Sequence, residues 1–202
     1  MSISCSASPL PLQTAAALRL AQRNVALQVH PLTMQYPLAI RFDSMENFCK
    51  RSRITRAALA KEPDLADGCT IILENSRQGT QYLVLYNGLL QNRRRCAFTL
   101  AHEIGHILLE HRKDGPDEEK EADAFAAELL APRILVWAMG QQLPHTVLQH
   151  EIMDAFFLSR QAAANRLVGL RGLSYSSFLP AERALLSRLG SLLPSNAPRV
   201  SI

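Results

Sequence analysis

Between Arg93 and Glu110 the apolar residues recur at helical spacing, with Ala97, Ala101, Ile104 and Leu108 on one side and Leu100 beside them. The opposite side carries Arg95, Thr99, His102 and His106, edged by Phe98 and Leu109. Apolar edges on a polar side predict a central helix covered on two faces rather than one lying on the surface. A second helix is predicted from about Asp117 to Leu130, after the turn Asp114-Gly115-Pro116 and stopped by Pro132. At about 100° per residue, its inward face is Ala122, Phe125, Ala126, Leu129 and Leu130. Glu118 and Glu119 fall within or beside that face, Glu121 and Glu128 on its rim or outside.

Upstream, Cys69 to Glu74 and Gln81 to Tyr86 are apolar, β-branched and aromatic runs, separated by Asn75-Ser76-Arg77-Gln78-Gly79. They predict an antiparallel hairpin in which Tyr82, Val84 and Tyr86 share one face. Gln81 to Tyr86 is either the edge wall of a substrate groove or an internal strand packed on the helix. Elsewhere the pattern is helical, at about 13 to 28, 44 to 61, 134 to 141, 143 to 157, 160 to 170 and 181 to 193. The chain reads as an α+β fold with a small antiparallel sheet on a central helix and mostly helices elsewhere. It divides into an N-terminal segment (1–42, partly disordered plus one helix), a core (43–135) and a C-terminal helical region (136–202).

The central helix contains His102-Glu103-Ile104-Gly105-His106. Residues four apart share a helical face, so His102 and His106 can hold one metal ion. Glu103 stands one step round, where its carboxylate can act as a base on a metal-activated water. A catalytic zinc keeps three protein ligands and one open position, and Glu119 is the candidate for the third. Asp123, four residues on, can orient a ligand histidine from outside. Acids in a first helical turn commonly just complement the helix dipole; that suffices for Asp117 and Glu118, but not for an acid beside a face of Phe, Leu and Ala. Gly105 costs roughly 1 kcal/mol against Ala in a helix, and marks either a close backbone approach or a tolerated glycine.

Composition adds bounds. The 202 residues are 48% hydrophobic, enough for one solid core, and the net charge of +4 does not by itself argue for nucleic acid. Nine of the 18 acids lie between Glu103 and Glu128, an excess that suits cation binding at that site. Cys5, Cys49, Cys69 and Cys96 show no Cys-x-x-Cys pairing and read as reduced cytoplasmic thiols. No run approaches the ~20 apolar residues of a membrane helix. Residues 1–42 hold no acid, a transit-peptide-like composition that is also met, as the preferred reading, by a loose start followed by an amphipathic helix from about Gln13 to Gln28.

Three blocks in order carry a resemblance to a known family: Arg95-Cys96-Ala97-Phe98-Thr99-Leu100-Ala101-His102-Glu103-Ile104-Gly105-His106, Glu119 to Pro132, and Phe157 to Leu167. Together they resemble the ImmA/IrrE metallopeptidases, over roughly Gly68 to Leu170, with Leu158 where valine is usual. The resemblance implies a zincin-like core, Zn2+ at His102, His106 and Glu119, and Glu103 as catalytic base. It further implies a cytoplasmic zinc endopeptidase whose substrate is a helix-turn-helix repressor, cut as a transcriptional switch.

Other residues leave alternatives open. Tyr82, Tyr86, His145 and His150 are each candidates to hydrogen-bond an oxyanion, and the sequence does not choose among them. His111 reads most simply as a cation at the helix C-terminus. Val147 to Leu170 looks superficially like a helix-turn-helix, with Ser159 as N-cap and Arg160, Asn165 and Arg166 exposed. Two further functions therefore stand beside the peptidase: a module that binds a repressor or antitoxin through a retained metal site, and a DNA-binding regulator. The first does not need Glu103; the second is the lesser reading, because Phe156, Ala163 and Leu167 form an ordinary packing stripe and no direct nucleic-acid contact is expected.

Overall fold

A computed structural model of the chain describes residues 9–55, 67–75, 79–90, 92–113 and 115–194. Among them are eight α-helices and one three-stranded sheet, an α+β fold. Two compact units share the chain: Met1–Pro11 with His30–Ala126, and Leu12–Val29 with Ala127–Ile202. Helix α1 (Pro9–Ala21) starts earlier than its apolar pattern indicates, since proline is tolerated in a first turn, and ends where Gln22 Nε2 caps the Leu18 carbonyl at 3.1 Å.

The first unit is built around the sheet. Strand β1 (Ile40–Ser44) leads into α2 (Met45–Ser52), with Ser44 Oγ capping the helix by accepting from Asn47 N–H. Arg53, at φ 55°, ends α2 well before the expected boundary near 61, and residues 56 to 61 of that expected helix lie outside the described residues. The expected hairpin is present and antiparallel: β2 (Gly68–Asn75) pairs with β3 (Gly79–Tyr86) from Gly68↔Tyr86 to Asn75↔Gly79. Its predicted turn at 76–78 lies outside the described residues. The sheet is not purely antiparallel, however, because β1 pairs with β3 in parallel and gives the order β1-β3-β2. Five residues alternating as Ile-Arg-Phe-Asp-Ser are too short a run to announce a strand by pattern alone.

Helix α3 (Arg93–Leu108) lies against this sheet. Leu100 and Ile107 meet Val84 in a core surrounded by Ile40, Phe42, Tyr82, Tyr86 and Cys96. The period-2 face of β3 and the first and third residues of β1 thus face the same helix. Asn92 starts α3 by accepting from Arg94 and Arg95 N–H at 3.1 and 3.2 Å. Helix α4 (Pro116–Leu130) completes the unit as far as Ala126.

The second unit is helical: α5 (Arg133–Gln142), α6 (His145–Ala155), α7 (Arg160–Gly169) and α8 (Pro180–Leu189), with α5 touching each of the other three. Ser159 Oγ caps α7 by accepting from Ala162 N–H at 3.1 Å. Arg166 is not exposed: Nη2 donates to Glu128 Oε2 at 2.8 Å and Nε to the Ala131 carbonyl at 2.8 Å. Glu128, set on the rim by helical counting, is fully buried and also accepts from Arg133 N–H at 3.2 Å. Burial raises its pKa, and Arg166 counters that rise. Arg133 in turn grips the buried Glu182 with two hydrogen bonds of 2.6 and 2.9 Å. Arg166 thus belongs to the helical packing, while Arg160 and Asn165 are exposed as expected. Removing one partner of a buried pair strands the other, so Arg166→Ala is expected to destabilise by about 3–5 kcal/mol in denaturant unfolding. A loss under about 1 kcal/mol would show that Glu128 finds other compensation.

Candidate metal centre

The site is assembled by two helices held unusually close. The buried face of α3 includes Ala101, Ile104 and Gly105. A Cβ built on Gly105 would sit 3.0 Å from Phe125 Cδ1, 3.2 Å from Ala122 Cα and 3.3 Å from Ala122 O. The backbone of α4 thus occupies the space a side chain would need, and glycine is there for close approach. That spacing brings the first turn of α4 beside the two histidines one turn apart on α3.

His102 Nε2 lies 3.0 Å from His106 Nε2 and 3.3 Å from Glu119 Oε2, while His106 Nε2 lies 3.3 Å from Glu119 Oε1. Four-coordinate zinc with bonds of about 2.0–2.1 Å spaces its ligand atoms roughly 3.3–3.4 Å apart. Each of the two histidines stands near that spacing from one or other carboxylate oxygen of Glu119, and with one ligand atom per residue all within 4.8 Å of one another, His102, His106 and Glu119 could hold a metal ion. Asp123 Oδ1 accepts from His102 Nδ1 at 2.9 Å, which leaves the lone pair of the neutral ring on Nε2. Two ring nitrogens and a carboxylate turned on one point repel one another, and a cation relieves that repulsion. Burial disfavours the charged form of His102, but Asp123, Glu103 and Glu119 outweigh it and raise the pKa.

Glu103 points into the same cleft, and its Oε2 accepts from Thr70 Oγ1 at 2.8 Å. Strand β2 comes this near because of Gly68, whose Cβ would meet Thr99 Cγ2 at 2.5 Å and Glu103 Cγ at 3.6 Å. Thr70 was not legible in the sequence, since its partner lies 33 residues away on another element. Cys69 lines the cleft too, and burial and then Glu103 push its thiol up to about 11.

The cleft holds about 850 Å³ and is walled by Gly68, Cys69, Thr70 and Ile72 of β2, by Tyr82, and by Leu38. Strand β3 is paired on both sides and offers no edge; among the described residues β2 is the edge strand beside the cleft. Of the four oxyanion candidates, Tyr82 is brought to the cleft. Tyr86 packs on the core formed by Val84, Leu100 and Ile107. His145 and His150 stand exposed on α6 in the second unit, His150 at 3.4 Å from Asp154. The side chain of His111, read as a cation at the helix C-terminus, is only 7% exposed and contacts both His106 and Glu121.

Residues 69–168 match the peptidase family model described as the IrrE N-terminal-like domain. The matched segment contains the whole His-Glu-x-x-His helix and Glu119. Comparison with curated proteins finds no match.

Gly105→Ala forces α3 and α4 apart by a few tenths of an ångström. Overpacking is expected to cost about 1–3 kcal/mol, more than the roughly 1 kcal/mol that alanine gains in a helix. Urea unfolding should show net destabilisation, and zinc affinity should fall with it. A more stable variant with unchanged affinity would mean the helix separation is not set there.

Proposed function

Because the chain belongs to the ImmA/IrrE peptidase family through residues 69–168, we propose that it is a zinc-dependent endopeptidase acting on a protein substrate, a helix-turn-helix repressor, in the cytoplasm. The observation that carries this reading is the meeting of three metal-binding side chains with a separately held carboxylate in one cleft. A purely partner-binding module has no use for Glu103 beside the metal position, or for Thr70 holding it.

His102, His106 and Glu119 hold the metal, and Asp123 fixes the ring of His102 through Nδ1. Zinc bound there supplies Lewis acidity toward a carbonyl oxygen and lowers the pKa of water. Glu103 takes the proton from the attacking water and delivers it to the departing amine. Thr70 donates to Glu103 Oε2, keeping the carboxylate turned into the cleft. Tyr82, which lines the cleft, is the candidate to donate a hydroxyl to the developing oxyanion. The substrate backbone lies extended along the β2 edge, where strand addition supplies affinity independent of side chain. Ile72, 39% exposed on that strand, offers an apolar contact to a substrate side chain. Among the described residues no helix is long and apolar enough to cross a membrane.

Incubation of the zinc-loaded protein with purified helix-turn-helix repressors, read by mass spectrometry of fragments, tests this. The wild type is expected to cut at discrete bonds, and Glu103→Gln to keep its metal while losing about 10²–10⁴-fold in rate. Zinc-loaded wild type that binds a repressor tightly yet cuts neither it nor unfolded polypeptide would favour the binding-module reading instead.

A further inference from the structure

The end of α3 has a geometry that the peptidase reading does not use. Leu109 N–H bonds the Gly105 carbonyl at 2.9 Å, Glu110 N–H the Ile107 carbonyl at 3.2 Å, and His111 N–H the His106 carbonyl at 3.0 Å. Glu110 has φ 59°, the left-handed position that such a C-terminal turn requires. Glycine is the usual residue there, and a glutamate accepts a cost of about 1–2 kcal/mol. This is a Schellman turn, in which the side chains three residues inside the cap and two beyond it are brought into contact, usually as an apolar pair. Here those two residues are His106 and His111.

Their rings meet edge to face, centroids 5.0 Å apart, with Nδ1 to Nδ1 at 3.1 Å. His111 Nε2 lies 3.3 Å from Glu121 Oε2, supplied by α4. A carboxylate only accepts, so Nε2 of His111 carries a hydrogen, and when the ring is neutral its Nδ1 is bare. His106 Nδ1 must then donate, which leaves the lone pair of His106 on Nε2, the atom 3.3 Å from Glu119. The chain of bonds is directional: His106 Nδ1–H to His111 Nδ1, then His111 Nε2–H to Glu121. With side chains of His106 and His111 only 13% and 7% exposed, water competes little for either ring.

We infer that His111 is a positioning residue for the metal: it holds His106 in the tautomer that turns Nε2 toward the shared metal position, and Glu121 anchors it from α4. The inference rests on the metallopeptidase reading above and gives His106 the counterpart of what Asp123 does for His102. It also assigns Glu121 a place in the site, although helical counting sets it away from the inward face.

The test compares wild type, His111→Leu and His111→Asn in zinc affinity by chelator competition, in the visible spectrum of the cobalt-substituted proteins, and in melting temperature without metal. Asparagine places Oδ1 where Nδ1 stood and can accept from His106, whereas leucine fills the space and accepts nothing. His111→Leu is expected to lose about 10–100-fold in zinc affinity and to shift the cobalt spectrum, with His111→Asn within roughly threefold of wild type. Wild-type affinity and spectrum in His111→Leu would overturn the inference. So would equal losses in both variants accompanied by equal drops in metal-free melting temperature, which mark a packing role. A wild type that binds no zinc would remove the metallopeptidase reading itself, a result distinct from any difference among variants.

Discussion

Everything in the candidate site depends on how near α4 comes to α3 at Gly105. With the Ala122 backbone and the Phe125 ring where a Cβ would project, the two helices are in backbone contact beside the histidines. Contact at Gly105 brings Glu119 within 3.3 Å of both rings. The same approach carries Asp123 to His102 and Glu121 to His111, so one close contact orients the metal-binding rings from outside as well as from within.

The sheet contributes from the other side. Val84 packed on Leu100 and Ile107 seats α3 on β3, and Gly68 lets β2 approach until Thr70 meets Glu103. Glu103 shares α3 with the two histidines, and its carboxylate is also held from a second element, β2. Since β3 is enclosed by β1 and β2, the accessible strand edge beside this carboxylate belongs to β2. Metal position, carboxylate and strand edge then line one cleft, the arrangement that attack on an extended peptide requires.

Much of this was legible in the sequence wherever a local rule sets the geometry. The four-residue spacing of His102 and His106, and of Glu119 and Asp123, puts each pair on one helical face whatever the rest of the chain does. The hairpin was legible because two β-branched and aromatic runs flank a turn-forming segment. What escaped depends on contacts distant in sequence. Strand β1 is five residues long and exists by pairing with β3, some 40 positions on. Thr70 is a threonine in a strand until β2 is placed against α3. Arg166 and Glu128 both look like surface residues to helical counting, and only their mutual burial, 38 positions apart, shows otherwise. The contact of His111 with His106 escaped for a subtler reason: the turn that folds it back has glutamate where glycine would have announced it.

The central claim is that the contact between α3 and α4 creates a site for a single metal ion. It is tested most directly by counting zinc per chain in the protein and in two first-turn variants of α4, Glu119→Ala and Glu118→Ala, by mass spectrometry under native conditions. One zinc per chain in the wild type and in Glu118→Ala, with none retained in Glu119→Ala, is the result this account predicts. No zinc in the wild type after supplementation, or one zinc in all three proteins, would contradict it.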